Sequence, residues 1–540
     1  VKGGPGVLTL QTPASPVQGM AAAALTGQMV VTQGTLRLAG GVNTLAPNNY
    51  LNVAPGATLD LNGNSQWVFG LFTDSGVDGG GGTVTSSNGA AVLLVNQDNA
   101  TRTWSGSVTG PVSFVRAGQG TLNVYGAQPY TGGSYFAGWT TVLQDGAALT
   151  GTSLVDVNLA TLTLANTGRA DVADRINDAA TVTLRAGTLN YNGRAQLVSR
   201  ETLGTLRIGS GFSAVVVTPG GTGTNAAELR VADLLQEAGT KGTVNLNGTS
   251  FGLSSNGAGR LIISSRESAA GLVNNILPAW IQVNNEFASY IPGQGVGALN
   301  QTGFAGYNAT TLSGTNLATD NVRITATGTV PSGGLTINSL VVNGNIALNF
   351  ASGTDVLNLV AGGLIGSNNN QAIGATLDSG RLTAGGTASS GVVDFYLYNR
   401  ANTLTLNSRL VDNPNGAAVR MILTASGGAM TLPNVLNSYT GGTVLNGGTF
   451  NLNVAGVSAG QASIPAGGLT INAATVTMTN SAGQIAANNA VTMNGGSTLT
   501  LFGNNTLSEL TLNNIGGTAS APSVNTGGSL AVTSGRFPQL

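Results

Sequence analysis

Three carboxylates in one short segment are the residues of this chain whose type and spacing could support chemistry. Asp171, Asp174 and Asp178 lie in the run DVADRIND, separated by three and four residues. Carboxylate oxygens at this spacing could bind Ca²⁺ or supply the acid pair of a glycosidase. The structural alternative is a solvated loop in which Arg175 pairs locally with these carboxylates. We favour the loop, because the strand-like run TVTLRAG follows directly.

A second acidic run, DSGVDGGGG at Asp74–Gly82, combines two carboxylates with a stretch of glycines. Calcium-binding loops of repeated β-structure contain a Gly-Gly-x-Gly-x-Asp nonapeptide unit, and this run does not repeat that unit. The run therefore predicts a turn. We predict no metal ion and no other cofactor for the chain.

Four aromatic residues lie close together in a segment rich in Gly, Pro and Asn: Phe287, Tyr290, Phe304 and Tyr307. Such a group could form a contact surface for glycan or for a neighbouring chain. Alternatively, the rings could cover the flank of the core beneath a long loop. We favour the second interpretation and keep the first as the candidate contact surface.

Composition excludes several classes of function. The chain has no Cys and no His, which removes thiolate sites, His-dependent triads and imidazole zinc sites. It has 20 Lys and Arg against 21 Asp and Glu, so no basic surface is available for nucleic acid. No apolar stretch reaches the 18 residues typical of a membrane-spanning helix, so no membrane insertion is predicted.

Short strands with one buried face must position these side chains. Apolar residues occupy every second position in many runs, such as TLRL from Thr35, ATLTL from Ala160 and STLTL from Ser497. Gly-Gly, Asn-Gly and Asp-Gly turns separate these runs about every 8–12 residues. Because 41% of the residues are hydrophobic and only 8% are charged, the strands must share a continuous core.

Near-identical units return at long separation along the chain. Pro331–Asn338 reads PSGGLTIN and Pro465–Asn472 reads PAGGLTIN, with seven of eight positions identical. This recurrence favours a single parallel β-solenoid over separate sandwiches. Stacked coils would place like charges about 4.8 Å apart, whereas Thr, Asn and Ser form mutually satisfied ladders. The low charge and the 82 glycines are therefore expected of stacked coils.

The repeat units resemble a known family. The run Thr103–Leu149 contains Trp-x-Gly, an alternating strand and Tyr-Thr-Gly-Gly, and is similar to the autotransporter-associated β-strand repeat. Ser438–Leu452 resembles a further copy, and Leu164–Gly209 resembles the spacer units between such repeats. The resemblance implies a right-handed parallel β-helix outside the cell, within a very large exported bacterial surface protein. It implies no catalytic activity.

The middle third matches the repeat pattern only loosely, so we expect irregular loop insertions there. The expected division is a solenoid with repeats at 1–163, a spacer with longer loops at 164–330, and a solenoid with repeats at 331–540, all in one continuous stack. Asn225–Gly239 is the one helix candidate, with an Asn cap and Glu228 three residues later. The flanking TVNL run favours strands instead.

Neither end of the sequence resembles a polar cap, so we expect a section of a longer chain or a subunit that associates axially with itself. The leading function is a structural, extracellular β-solenoid of a cell-surface fibre or giant adhesin, without enzymatic activity. One alternative is an adhesion module that binds glycan or another surface. A third is a polysaccharide lyase or hydrolase that uses the Asp171–Asp178 cluster.

Overall fold

The computed structural model describes residues 1–11, 27–223, 225–269, 271–400, 402–434, 436–458, 460–514 and 521–536. Within these ranges nearly every regular element is a β-strand, and two short 3₁₀ helices are the exceptions. Parallel strands stack into a β-solenoid of about 20 turns. The predicted all-β parallel solenoid is therefore confirmed.

The first arm of the solenoid is formed by the described residues between positions 1 and 263. Its strands are β1 (Val7–Leu10), β2 (Gln28–Val31), β3 (Thr35–Leu38), β4 (Tyr50–Val53), β5 (Thr58–Asp60), β6 (Gln66–Val68), β7 (Gly70–Phe72), β8 (Thr83–Thr85), β9 (Ala91–Gln97), β10 (Arg102–Trp104), β11 (Ser107–Val108), β12 (Val112–Gly118), β13 (Thr121–Val124), β14 (Ser134–Phe136), β15 (Thr140–Gln144), β16 (Leu154–Asn158), β17 (Thr161–Ala165), β18 (Thr181–Arg185), β19 (Thr188–Ala195), β20 (Val198–Ile208), β21 (Phe212–Gly220), β22 (Ala226–Gln236), β23 (Thr243–Asn247) and β24 (Gly259–Ile263).

A turn segment, residues 264–320, follows the first arm. It contains the 3₁₀ helices η1 (Ser264–Arg266) and η2 (Val273–Asn275), then β25 (Ile281–Val283), β26 (Glu286–Ile291) and β27 (Gly295–Ala298). Strand β25 still pairs in parallel with β23, whereas β26 pairs antiparallel with β25 and β27 pairs antiparallel with β26. Antiparallel strands therefore complete this sheet of the first arm.

The second arm is formed by the described residues between positions 321 and 536. Its strands are β28 (Asn321–Ile324), β29 (Gly328–Val330), β30 (Leu335–Asn343), β31 (Ala347–Phe350), β32 (Val356–Ser367), β33 (Asn370–Ile373), β34 (Arg381–Ala384), β35 (Val392–Asn399), β36 (Thr403–Leu406), β37 (Arg409–Leu410), β38 (Ala418–Ala425), β39 (Ala429–Thr431), β40 (Thr443–Asn453), β41 (Leu469–Thr479), β42 (Ala490–Asn494), β43 (Thr498–Leu501), β44 (Asn505–Asn513), β45 (Ser523–Thr526) and β46 (Leu530–Arg536).

Each arm is filled by columns of side chains from equivalent positions of successive coils. In strand β12 the burial alternates residue by residue, as expected for a strand with one buried face. One inner column of the first arm follows the strand register from β13 to β25. Its members are Leu122, Thr141, Leu162, Leu189, Val215, Leu246 and Val283. The period-two pattern thus fixes which side of every coil faces the core.

The two arms lie side by side. One hydrophobic cluster lies wholly in the second arm, and the other fills the first arm and extends to second-arm residues such as Val341, Ile365 and Tyr398. Contacts between them run in opposite order along the chain, because rising residue numbers in the second arm meet falling numbers in the first. From the turn outwards the contacting pairs are Phe287 with Gly363, Ala279 with Tyr398, Thr243 with Thr424, Phe212 with Gly447, and Leu159 with Gly496. The solenoid therefore reverses direction within residues 264–320.

The first arm projects further than the second. The contact of Leu159 with Gly496 is the outermost of these pairs. Away from the turn, the first arm extends past this contact through strands β1 to β16, whereas the second arm extends past it only through β43 to β46. Strand β1 lies at one edge of its sheet, paired with β3, and β46 pairs with β44. Because the arms are antiparallel, both of these edge strands lie at the end away from the turn.

An asparagine ladder confirms the expected stacking of polar side chains. Asn472 donates a hydrogen bond to Asn446 Oδ1 at 2.9 Å, and Asn513 donates to Asn494 Oδ1 at 2.9 Å. Asn494 in turn donates to Asn472, so the amides form one chain along the coils. At its inner end Asn446 donates to the carbonyl of Lys241 in the first arm, at 2.6 Å. The ladder therefore both satisfies buried amides and joins the arms.

Replacing Asn472 by Leu is expected to lower the stability of the second arm by about 2 kcal/mol, because two amide partners lose their hydrogen bonds inside the ladder. Urea unfolding, with hydrogen exchange in β40 to β42, measures the loss. The matched control is Asn525→Ala, since Asn525 is exposed and donates only a long bond to Thr500. Equal stability of the two variants would contradict a structural ladder.

The helix alternative at Asn225–Gly239 is wrong, because residues Ala226–Gln236 form strand β22. This strand pairs in parallel with β20 on one side and β24 on the other. Two rows of backbone hydrogen bonds outweigh the weak local helix preference of the segment.

Candidate functional site

The three aspartates lie on the connection between β17 and β18, and all three are exposed. Asp171 accepts a hydrogen bond from Ser199 Oγ at 2.7 Å. Partial burial and the charge of Asp174 raise the pKa of Asp178 above its ordinary value. Within the described residues, no group of three or more Asp and Glu side chains could hold a metal ion.

Arg175 does not pair locally with these aspartates, so that expectation is wrong. Its guanidinium is fully buried and donates to Asn166 Oδ1 at 2.7 Å. It also donates to three backbone carbonyl oxygens, those of Asp145, Ala147 and Ala165. The side chain enters the coil, where these buried carbonyls accept its N–H groups.

Glu201 completes this buried polar cluster from β20. Its carboxylate accepts the backbone N–H groups of Arg175 at 3.1 Å and Ile176 at 2.9 Å. Burial raises the pKa of Glu201 well above its ordinary value. The cluster fixes the irregular DVADRIND connection to the coils on either side, and this arrangement is structural.

The glycine-rich run Asp74–Gly82 forms a turn between β7 and β8. Asp74 accepts a 3.4 Å hydrogen bond from Asn52 Nδ2, and Gly79 has a φ of +74°, which favours glycine. The Asp78 carboxylate lies against Gly146 of the first arm.

The aromatic residues of the turn segment differ in exposure. Phe287 is fully buried and Tyr290 is 8% exposed. Tyr290 Oη donates to the Ile263 carbonyl at 3.0 Å or to Glu267 Oε1 at 2.5 Å. Phe304 and Tyr307 are half-buried, and Tyr307 Oη donates to Glu286. The rings therefore pack the end of the first arm rather than forming a flat exposed patch.

A polar cleft of about 640 Å³ opens where the turn segment meets the second arm. Amide side chains and three charged groups dominate its lining. The lining residues are Asn284, Asn285, Glu286, Arg323, Asn343, Ser367, Asn368, Asn369, Arg400, Asn402 and Gly427. With two guanidinium groups and one carboxylate, this lining carries one surplus positive charge.

One of the two arginines in the cleft is neutralised. Arg323 Nε donates to Glu286 Oε1 at 3.1 Å, while the other oxygen of Glu286 accepts the Tyr307 hydroxyl. Burial is the main cause that raises the pKa of Glu286, and the hydrogen bond from Tyr307 opposes it. Both oxygens of this carboxylate are therefore engaged within the protein.

The other arginine of the cleft, Arg400, is held by polar side chains and an aromatic ring. Arg400 Nε donates to Asn285 Oδ1 at 3.0 Å, and Nη1 donates to Ser426 Oγ at 2.7 Å. The guanidinium carbon lies 5.6 Å from the centre of the Phe212 ring in the first arm. Among the described residues no acidic group forms an ion pair with Arg400, and burial lowers its pKa. These contacts hold the guanidinium rigidly at the arm junction.

Sequence reasoning missed this cleft. Its residues come from six stretches of chain, one in the turn segment and five in the second arm, so no local motif contains them. The run NNN at 368–370 is the one local signal, since Asn368 and Asn369 have φ values of +71° and +60° that asparagine tolerates at turns.

A comparison with curated proteins finds similarity to an adhesin. The chain is 27% identical over 423 residues to "Adhesin BmaC autotransporter" of Brucella suis biovar 1 (strain 1330). The match covers 77% of this chain and 9% of that protein, so the chain spans less than a tenth of the length of this relative. No protein-family model matches the chain, and no solved structure matches it.

In the described part of the chain, no helix has the length and apolar character needed to cross a membrane. The strand stack and the match to an autotransporter adhesin agree with the motifs seen in the sequence. The resemblance to the autotransporter-associated repeat proteins is thus confirmed: the chain is a β-solenoid similar to the passengers of autotransporter adhesins.

Proposed function

We propose that the chain is an adhesin-like structural segment displayed on a bacterial cell surface, and that it is not an enzyme. The observation that carries this proposal is the similarity to an autotransporter adhesin over 77% of the chain, combined with the solenoid fold. The polar clusters described above support a non-enzymatic role, since the candidate acid pair at Asp171–Asp178 is exposed and Arg175 serves the packing of the coil.

Surface display can be tested directly on cells that produce the protein. Antibody against this chain is expected to label intact cells, and protease added outside them is expected to remove the label. Antibody against a cytoplasmic enzyme in the same cells is the control for leakage. Labelling that requires permeabilised cells would contradict the proposal.

Self-association through the end away from the turn is the finer part of the proposal. Among the described residues strand β1 pairs with β3 alone, and its Val7 and Leu8 are 58% and 45% exposed. Because β46 lies at the same end, stacking of two copies through these strands joins them end to end into a closed pair. An axial filament requires a further contact at the turn end.

A row of apolar side chains on the projecting part of the first arm supports the same proposal. The strand register aligns Trp67, Leu94, Val115 and Tyr135 on the outer face of four successive strands. Trp67 and Tyr135 are 39% and 38% exposed. Contiguous exposed apolar rows are typical of association surfaces.

Light scattering after size-exclusion chromatography tests the association. A dimer that dissociates when Trp67 and Tyr135 are both replaced by Ser would support a contact at the projecting end. Replacing the exposed Phe502 of the second arm by Ser is the matched control. A monomer at all accessible concentrations, confirmed by negative-stain images, would contradict self-association.

A further inference from the structure

The polar cleft presents hydrogen-bonding groups at regular intervals along the solenoid axis. Asn369 and Asn402 belong to corners of neighbouring coils of the second arm and are joined by the backbone bond from Asn402 N to the Asn369 carbonyl at 3.2 Å. The amide of Asn343, in the preceding coil, lies against the Ser367 carbonyl and the Arg323 guanidinium. Successive coils are roughly 4.8 Å apart, so the amides form a short row. Asn402 and Asn369 are exposed.

Amide groups in such a row match the chemistry of a polyol. Each Asn side chain offers two N–H donors and one acceptor oxygen, and each sugar hydroxyl offers one donor and two acceptor lone pairs. A row of amides can therefore satisfy adjacent hydroxyls without any charge. The cleft offers few apolar side chains, which disfavours an apolar ligand or a peptide with large hydrophobic anchors.

The surplus positive charge identifies a second property of the ligand. Arg400 is held at the junction by Asn285, Ser426 and the Phe212 ring, yet it has no counter-ion among the described residues. A half-buried guanidinium without a counter-ion interacts strongly with an incoming carboxylate, because solvent screens the pair less than it would at the surface. Glu286 does not compete, since both its oxygens are engaged.

We propose that the cleft binds an acidic saccharide, with its carboxylate against Arg400 and its hydroxyls along the asparagine row. The inference rests on the proposed adhesin role, in that the ligand would belong to the surface to which the cell adheres. Nucleic acid is a poor match, because the whole chain carries a net charge of -1 and the cleft has a single unpaired cation.

Binding is tested with the purified chain on an array of oligosaccharides that contain sialic acid or a uronic acid, beside their neutral counterparts. Titration calorimetry of the strongest ligand in dilute salt gives the affinity. We expect acidic saccharides to bind at least about tenfold more tightly than neutral ones, since one charge-assisted pair distinguishes them. Equal binding of neutral and acidic forms would overturn the proposal.

Two variants locate the binding within the cleft. Asn402→Asp places a carboxylate in the lining beside Arg400 and is expected to weaken binding of the acidic ligand by about tenfold or more. Arg400→Gln removes the positive charge of the guanidinium and is likewise expected to weaken binding of the acidic ligand by about tenfold or more. Asn99→Asp is the control, because Asn99 is an exposed residue between β9 and β10 of the first arm. A loss of affinity equal in all three variants would overturn the assignment.

Circular dichroism melting establishes that each variant is folded before its affinity is compared. If Arg400→Gln unfolds the junction, the affinity of Asn402→Asp alone tests whether the saccharide binds in the cleft. The Asn402 side chain is exposed, so this replacement is expected to leave the fold intact. Competition by inorganic phosphate at the same concentration as the saccharide tests for a general anion site, and full displacement by phosphate would overturn saccharide recognition. Binding measured on purified protein is independent of surface labelling, so each proposal can fail without the other.

Discussion

Replacing Arg175 by Ala is expected to lower the stability of the surrounding coils by about 3–5 kcal/mol. The guanidinium donates to three backbone carbonyls and to Asn166, and these buried acceptors would lose its N–H groups. Asn166 Oδ1 would keep the backbone N–H of Val172. The buried Glu201 would also lose the nearby positive charge that favours its ionised form. Hydrogen exchange in β17 and β18 measures the local loss, and urea unfolding measures the global loss.

The matched control for this prediction is Arg169→Ala. Arg169 lies in the same connection, but its side chain is exposed and forms no ion pair among the described residues. Its replacement is expected to change stability by no more than about 0.5 kcal/mol. If the two variants unfolded alike, Arg175 would be a surface residue in solution and the buried cluster would not exist as described.

Replacing Phe287 by Ala is expected to lower stability by about 3–5 kcal/mol and to loosen the junction between the arms. Phe287 is fully buried, and its ring lies so close to Gly363 of the second arm that a Cβ there would approach Cε1 to 2.5 Å. The cavity left by the ring therefore opens at the contact between the two arms. Faster hydrogen exchange in both β26 and β32 is the expected signature.

The control for Phe287 is Phe502→Ala on the second arm. Phe502 is 47% exposed, so its loss removes little buried surface and is expected to change stability by about 0.5 kcal/mol. Normal exchange in β32 with faster exchange in β26 alone would mean that Phe287 stabilises the first arm only. That result would contradict its role at the junction.

Much of the fold could be predicted from the sequence because the solenoid repeats its physical requirement in every coil. The alternation in runs such as Thr161–Ala165 specifies a strand and its buried face, and Asn at equivalent positions specifies ladders such as Asn446 to Asn513. Local preference alone failed to separate helix from strand at Ala226–Gln236, where pairing with distant strands decides the outcome.

The reversal and the cleft could not be predicted in the same way. The contact of Tyr398 Oη with the Ala279 carbonyl at 2.7 Å joins residues 119 positions apart, and no period-two pattern encodes it. Arg175 was expected in a solvated loop because its neighbours are acidic, but acceptor carbonyls from other coils determine its position. Interactions that depend on which coils become neighbours leave little trace in a single sequence.

The antiparallel arrangement of the arms determines how the segment would respond to mechanical load. A force that pulls apart the ends of the two arms away from the turn acts first on the contact of Leu159 with Gly496, and then on each following pair in sequence. The lateral contacts then open one at a time, as in a zipper. A force between the turn and the opposite end of the arms instead loads all the lateral contacts and both stacks together. The reversal therefore makes resistance to tension depend on the point of attachment. A load applied at the polar cleft, which lies at the turn, acts between the turn and the opposite end of the arms, and this is the geometry that resists force more strongly.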